Sequence, residues 1–218
     1  MKLLASIAVF LLLLTASAHC QQLADLQADF SLVAQGTNGI QYGNYTTANS
    51  TTGTFTTAGW VVSGSVWYGG EGLGTPAISM TINHPAFDTL NPAVRRYTVG
   101  SGGELTIAGF VEISGMFYDQ DSGATSGFIT VDGVNLFNAD VPNTGNSSGF
   151  VPFDLIVAVL PGSTIDFGVN AGSDAFSDST GLTATIRVVP EPSTVCLLVL
   201  GAAGLILRCR RGPTRSTG

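Results

Sequence analysis

Residues 128–137 read FITVDGVNLF, with the dipeptide Asp132-Gly133 between two short runs of β-branched and aromatic residues. The two-residue turns that best match the twist of paired strands need positive φ at both positions, which Asp-Gly adopts readily. This stretch is therefore predicted to form a β-hairpin, with strands at 128–131 and 134–137.

Apolar and polar residues alternate through much of the chain between residues 60 and 188, as in strands with one buried face. Residues 153–160 are apolar at nearly every position and are predicted to form a central strand, whereas residues 44–57 are predicted to be a loop or weak edge strand. The alternating apolar positions are Trp60, Val62, Val66 and Tyr68 in one strand; Leu105, Ile107, Val111 and Ile113; Ile165, Phe167 and Val169; and Leu182, Ala184, Ile186 and Val188.

The 28 glycines supply turns between short strands. No convincing helical periodicity occurs between residues 19 and 189. The fold class predicted is all-β, an antiparallel β-sandwich in a jelly-roll arrangement, whose strand order does not follow from the sequence.

The N-terminus has the three parts of a secretory signal: a basic residue, Lys2, an apolar stretch at 3–14, and the small-residue site Ala16-Ser17-Ala18. Residues 1–18 are therefore predicted to be a signal helix that is removed during export. Cys20 suggests a lipoprotein as an alternative, but residues 17–19 do not fit the usual lipoprotein pattern.

The C-terminus has an apolar run at residues 195–207, followed by Arg208, Arg210 and Arg211. Such a run stopped by arginines orients with its basic end in the cytoplasm. Thirteen residues reach roughly 20 Å as a helix, less than the roughly 30 Å hydrocarbon core, but arginine stems can reach the headgroups. A short transmembrane helix is predicted; a buried terminal helix is the alternative.

The same C-terminal region resembles a PEP-CTERM sorting signal, which combines a Pro-Glu-Pro core, an apolar segment and a basic end. This resemblance implies an exported protein anchored in the inner membrane, whose tail an exosortase-type membrane enzyme cuts near residues 190–192. The protein would then reach the cell surface or the extracellular space. The alternative is an ordinary anchor that is not cut. The motif residues are Val189, Pro190, Glu191, Pro192, Ser193 and Thr194.

These features divide the chain into a signal peptide (1–18), an exported domain (19–189), a sorting tail (190–211) and a disordered end (212–218). Between His19 and Val189 there are 14 acidic and three basic residues, a formal charge of about −11. This charge excludes nucleic-acid binding, disfavours anionic lipid headgroups and is compatible with cations or neutral surface glycans. Cys20 lies beside the signal peptide and residues 21–189 contain no cysteine, so no disulfide framework is expected.

A second set of short motifs resembles a β-sandwich module of exported planctomycete-type proteins, similar in outline to galactose-binding-like domains. This resemblance covers roughly residues 60–188 and implies a binding or structural module, with no catalytic residues to transfer. The motifs lie at residues 84–85, 93–98, 103–107, 132–133, 164–167 and 178–181.

No catalytic residue is predicted. Nucleophilic hydrolysis needs a base beside the nucleophile, and the domain offers only His84, held before Pro85 in an extended or turn conformation. The chain contains no Gly-x-Ser-x-Gly elbow. We therefore expect a non-enzymatic protein of the cell envelope or extracellular matrix, with a carbohydrate-binding module as the alternative.

Two candidate ligand sites remain. Asp119 and Asp121 stand two residues apart, and Asp174 and Asp178, with Asn170, form a second acidic loop, so the two loops can share a calcium ion if the fold brings them together. Otherwise these are solvated turns, and no cofactor is expected. Trp67 falls out of phase with the apolar positions and is a candidate surface for glycan stacking; the alternative is that a loop or second sheet covers it.

Overall fold

Fourteen β-strands and one 3-10 turn at Thr37–Gly39 make up the secondary structure that the computed structural model describes. It describes residues 21–69, 75–86, 90–100, 109–120, 124–143, 149–171 and 179–189. The strands are β1 (Gln22–Asp25), β2 (Ile40–Tyr45), β3 (Phe55–Thr56), β4 (Val61–Ser63), β5 (Val66–Tyr68), β6 (Ala77–Ile78), β7 (Ile82–His84), β8 (Ala93–Thr98), β9 (Gly109–Asp119), β10 (Thr125–Val131), β11 (Val134–Val141), β12 (Phe150–Val159), β13 (Thr164–Ala171) and β14 (Thr180–Val189).

The strands form two sheets. One has eight strands in the order β12-β9-β14-β7-β6-β5-β4, with β1 also paired to β14; the other has six, in the order β11-β10-β13-β8-β2-β3. Each pairing with a described register is antiparallel. The prediction of an all-β antiparallel sandwich is confirmed.

The hairpin predicted at residues 128–137 is present as β10 and β11, and β11 continues to Val141. Asp132 and Gly133 have φ values of 51° and 78°, as a type I′ turn requires. The Asp132 carboxylate accepts hydrogen bonds from the Ser163 hydroxyl and the Thr164 amide, both at 2.8 Å. These bonds attach the turn to β13, the neighbouring strand.

The core lies between the sheets, on the alternating apolar positions. Phe117, Phe137, Phe153 and Phe167 come from both sheets and pack with ring centroids 5.4–6.2 Å apart. Ile165, Phe167 and Val169 on β13, and Leu182, Ala184 and Ile186 on β14, are all buried. The predicted alternation is confirmed for these two strands.

Two strand predictions are wrong. β12, which contains most of residues 153–160, is an edge strand; its residue Ile156 and the next residue after the strand, Leu160, are 65% and 60% exposed. Residues 60–68 are not one strand, because a turn at Gly64 separates β4 from β5. The weak edge strand predicted within residues 44–57 corresponds to β3, at the end of the six-stranded sheet.

Residues Gln21–Val188 form one compact unit. Its first and last strands are neighbours: β1 pairs with β14, and the Val188 amide donates to the Gln21 carbonyl at 2.8 Å. Within the part of the chain that is described, no helix has the length and apolar character needed to cross a bilayer. The predicted signal helix and transmembrane run lie outside the described residues.

Candidate functional site

Trp67 is not an exposed platform, and the prediction of glycan stacking on its ring is wrong. Its side chain is 6% exposed, its indole N–H donates to the Ser31 carbonyl at 2.8 Å, and its ring stacks on Tyr42 at 5.7 Å. The prediction assumed that residues 60–68 form one strand, in which all even-numbered residues lie on one face. A two-residue hairpin turn changes this: Val62 pairs with Trp67, so the odd-numbered residues of β5 share a face with the even-numbered residues of β4. The second sheet covers Trp67, as in the alternative stated above.

Trp67 supports a surface groove instead of forming one. The Phe30 ring packs edge-on against Tyr42 at 5.1 Å, and Tyr42 in turn stacks on Trp67. The Tyr42 hydroxyl accepts a hydrogen bond from the Ser31 amide at 3.0 Å, and burial raises the pKa of this phenol. The segment carrying Phe30 is therefore held on a rigid aromatic base.

The groove is open to solvent and has a volume of about 430 Å³. Its walls come from three separate loops: the segment after β1, the β4–β5 turn and the β6–β7 turn. The described residues that line it are three with apolar side chains and two with hydroxyls, and none of these five is charged: Phe30, Leu32, Met80, Ser65 and Ser79. A volume of this size and a mainly apolar lining with a few polar groups are typical of small-ligand sites.

Arg95 holds two of these walls in place from inside the sandwich. It is fully buried, lies on β8 of the six-stranded sheet, and reaches across the sandwich to the β6–β7 turn and the segment after β1. Its guanidinium carbon lies 5.9 Å from the centre of the Phe30 ring. Its five acceptors, at 2.7–3.4 Å, are the Asn83 side-chain oxygen and the carbonyls of Leu26, Ser79, Met80 and Ile82.

Among the described residues, the groups that accept hydrogen bonds from this buried cation are neutral oxygens, and none of them is a carboxylate. Burial lowers the pKa of Arg95 to about 10, so the guanidinium keeps its charge at neutral pH. A charged donor makes shorter and stronger hydrogen bonds than a neutral one. The groove walls are therefore pre-organised by a network that nothing in the local sequence around Arg95 predicts.

A second network lies on the outer face of the six-stranded sheet. Arg96 forms a two-point salt bridge with Asp166, with both N–O distances 2.7 Å, and the Phe55 ring lies 4.1 Å from its guanidinium carbon. The Tyr45 hydroxyl donates to the same carboxylate at 2.5 Å, and the Thr130 hydroxyl lies 3.1 Å from the Tyr45 hydroxyl. Burial, then the Asp166 charge, raises the pKa of Tyr45 well above its ordinary value.

Asp166 is 1% exposed, while the Arg96 side chain is 22% exposed. Burial lowers the pKa of Arg96 and its hydrogen bonds to Asp166 raise it, with a net increase. With Phe128 stacked on Tyr45 at 5.8 Å, the cluster is closed and satisfied rather than open to a ligand. We assign it a structural role.

The proposed calcium ligands are only partly described. Asp119 ends β9 and is 3% exposed, on the inward-facing positions of that strand. Asp121, Asp174 and Asp178 lie outside the described residues. In the part of the chain that is described, no three His, Cys, Asp or Glu side chains converge to hold a metal ion.

The described residues that flank the two acidic loops, their anchors, nevertheless lie together. The Gln120 amide donates to the Ser179 carbonyl at 3.2 Å, and the Thr125 and Thr180 hydroxyls are 2.6 Å apart. Asn170, which precedes the second loop, is on the outer face of its sheet with Asp166, and its side chain points away from Asp119. The described residues that flank the two loops therefore lie at one end of the sandwich, and Asn170 is not among the residues that make these contacts.

Of the sorting motif, only Val189 is described; Pro190, Glu191, Pro192, Ser193 and Thr194, and Arg208, Arg210 and Arg211, lie beyond it. His84 is half-buried at the end of β7, with its Nδ1 2.7 Å from the Pro85 carbonyl.

Comparison with known proteins identifies the C-terminal region. Residues 188–211 match the family model described as the PEP-CTERM protein-sorting motif, and the prediction of that signal is confirmed. The match begins within β14, whose last residues are Val188 and Val189. No curated protein sequence matches the chain.

Several solved structures share the outline of the fold at low similarity. A family 35 carbohydrate binding module from Clostridium thermocellum is 12% identical, with 67% of this chain and 97% of that chain covered and a TM-score of 0.33. The CBM22-1 xylan-binding domain from Paenibacillus barcinonensis Xyn10C is 14% identical, with coverage of 79% and 97% and a TM-score of 0.37. At these TM-scores nothing about a ligand of this chain follows.

Proposed function

We propose that this chain is an exported, non-enzymatic protein of the cell envelope or extracellular matrix, delivered through its C-terminal PEP-CTERM signal. The observation that carries the proposal is the match at residues 188–211. An exosortase-type membrane enzyme is the partner that processes this tail, cutting near residues 190–192. The sandwich is the part that remains and acts outside the cytoplasm.

Membrane anchoring precedes the cut in this proposal. The apolar run at residues 195–207 inserts in the inner membrane, and Arg208, Arg210 and Arg211 stay on the cytoplasmic side. Residues 1–18 direct export and are removed first. The finer description of the domain as a jelly roll of the galactose-binding-like kind is also part of the proposal, and the two antiparallel sheets support it.

Intact mass spectrometry of the protein from membranes and from medium tests the sorting proposal. We expect the medium form to lack both the first 18 residues and the segment after residues 190–192. A variant with Pro190→Ala and Pro192→Ala should accumulate in the membrane with residues 195–218 intact. Recovery of the unprocessed wild-type chain from cytosol contradicts the proposal.

A second candidate function is binding of neutral glycans, and the groove favours it. The described part of its lining offers one aromatic ring for the C–H face of a sugar and two hydroxyls for sugar hydroxyls, and none of these side chains is charged. The acidic surface disfavours anionic polymers, so a neutral polysaccharide is the ligand class proposed.

Phe30→Ala is the test of this second function, with Phe150→Ala as the matched control because that ring is 61% exposed on β12, away from the groove. Affinity electrophoresis through gels containing neutral polysaccharides should show retardation of the wild type and of Phe150→Ala, but not of Phe30→Ala. Equal retardation of all three proteins, or of none, counts against the groove.

Calcium binding at the two acidic loops remains a proposal, which the meeting of their anchors supports. We expect added calcium to raise the unfolding temperature of the wild type and not of a variant with Asp119→Asn and Asp121→Asn. An unchanged unfolding temperature in the wild type leaves the loops as ordinary solvated turns.

A further inference from the structure

Both sheets end in a long strand on the same side of the sandwich. β11, with 8 residues, is the last strand of the six-stranded sheet, and β12, with 10 residues, is the last strand of the eight-stranded sheet. They face each other through Phe137 and Phe153, whose ring centroids are 5.7 Å apart. Among the described strands β12 pairs only with β9, and β11 only with β10.

The backbone groups on the open edge of β12 can be identified from its register. The Asp119 amide donates to the Gly149 carbonyl at 2.8 Å, and the antiparallel register then runs from Phe150 opposite Tyr118 to Val159 opposite Gly109. Because hydrogen-bonded pairs alternate along an antiparallel ladder, the backbone N–H and C=O groups of the odd-numbered residues bond to β9. The backbone groups of the even-numbered residues point to the open edge. Pro152, which has no N–H, is even-numbered, as expected.

The even-numbered residues also present an apolar surface. Phe150, Ile156 and Leu160 are 61%, 65% and 60% exposed. Proteins usually protect open edges with lysines, prolines or short strands. On the described residues of β11 and β12 such features are Pro152, the two carboxylates Asp140 and Asp154, and an irregularity in the β11 register at Leu136, and neither strand has a lysine or arginine.

We propose that this side of the sandwich binds a second copy of the same chain, by antiparallel pairing of β12 with its equivalent about a two-fold axis. A second copy is the partner that presents two open edges at the same separation, so it continues both sheets together. The ten residues of β12 span about 33 Å along the edge. The two sheets lie about 10 Å apart, and with their outward-pointing side chains the sandwich is about 20 Å thick at this edge. The resulting footprint of about 700 Å² per partner is close to the roughly 800 Å² of a standard stable interface.

Charge selects the register. With Leu155 on the axis, the even-numbered residues of β12 bond to one another, Pro152 meets Ala158, and Asp154 meets Ile156. The Phe150 side chain then lies beside the side chain of Leu160, the residue after β12, whose backbone bonds to Ser163. A shift that places Asp154 on the axis sets two carboxylates directly opposite each other, which is unfavourable. The proposed register therefore keeps the exposed apolar residues in contact and the like charges apart.

Sedimentation velocity of the full chain in mild detergent, over a range of protein concentrations, tests the pairing. We expect a reversible dimer for the wild type. Ala158→Pro removes an N–H from the open edge without touching the bonds to β9, and should weaken dimerisation about tenfold or more, since both copies lose a donor. Every variant carries the same apolar C-terminal segment, so any contribution of this segment to association is the same in each variant and does not affect the comparison.

Val62→Pro is the matched control. Val62 is 39% exposed on β4, the opposite edge of the same sheet, and its N–H points away from β5 because Ser63 and Val66 close the two-residue turn. This variant should dimerise like the wild type. Leu160→Asp gives an independent test that leaves the backbone unchanged, and it should also weaken the dimer.

Far-UV circular dichroism establishes that each variant is folded. A wild type that stays monomeric to its solubility limit overturns the proposal. So does a folded Ala158→Pro or Leu160→Asp variant with the dimerisation of the wild type, or an equal loss in Val62→Pro. These outcomes are separate from sorting and from glycan binding, which depend on residues 188–211 and on the groove.

Discussion

Replacing Arg95 with methionine tests whether one buried guanidinium holds the groove and the two sheets together. Methionine has a similar length and fills the space, but it has no donor for the five oxygens that Arg95 contacts. At about 1 kcal/mol net for each hydrogen bond, their loss amounts to about 5 kcal/mol. Removing a buried charge returns part of this, because its desolvation cost disappears.

We therefore expect Arg95→Met to lower the free energy of unfolding by about 3–4 kcal/mol. Urea unfolding followed by tryptophan fluorescence suits the measurement, because Trp60 and Trp67 are only 7% and 6% exposed in the folded chain. Arg95→Lys keeps the charge but not the planar fork, so its loss should be intermediate.

Arg187→Met is the control, since Arg187 is on β14 and only half-buried. A loss below about 1 kcal/mol is expected there, as for most surface substitutions. If Arg95→Met is as stable as the wild type within about 1 kcal/mol, the five contacts are not what holds these loops. In the folded variant we also expect any ligand of the groove to bind more weakly, because the Phe30 and Met80 walls lose their common anchor.

The outer-face network gives three further predictions. Arg96→Met should cost about 3–5 kcal/mol, because it leaves the buried Asp166 carboxylate without its partner. Asp166→Asn should cost clearly less, because the Arg96 side chain that it leaves unpaired is 22% exposed and can be hydrated. Equal losses in thermal unfolding contradict this asymmetry. Tyr45→Phe should be less stable than the wild type, and the difference in stability should shrink above about pH 10. The phenol has a raised pKa in the folded chain, so it stabilises the native state fully only at pH values below the pKa of the unfolded phenol. A difference in stability that is constant from about pH 8 to 11 contradicts this role. Gly168→Ala should cost about 1–3 kcal/mol, because its Cβ would lie 1.9 Å from the Phe128 ring; a variant as stable as the wild type means that the ring moves freely.

Local features of the fold were predictable from the sequence. Asp132-Gly133 favours a tight hairpin turn, and the alternating apolar residues of β13 and β14 are the ones that pack into the core between the sheets. The status of β12 was not predictable, since an apolar run fits a central strand and an edge strand equally well. Only the strand order, set by contacts distant in sequence, distinguishes them.

The site was harder to predict, for a related reason. Trp67 was placed by strand parity, and the turn at Gly64 reverses that parity between β4 and β5. Arg95 and Arg96 are adjacent in the chain but belong to different networks on opposite faces of β8. Their partners, such as Leu26 and Asp166, are 69 and 70 residues away, and no local pattern joins them.

The pairing of β1 with β14 has a mechanical consequence. Gln21 and Val188 are bonded to each other, so the folded body begins and finishes at a single point on its surface. A force applied through either terminus therefore acts at this point. The domain would rotate about it and would not be stretched between two distant points. Joining the two termini by a short linker and opening the chain at Asp132-Gly133 should consequently yield a circularly permuted domain that keeps its strand pairing.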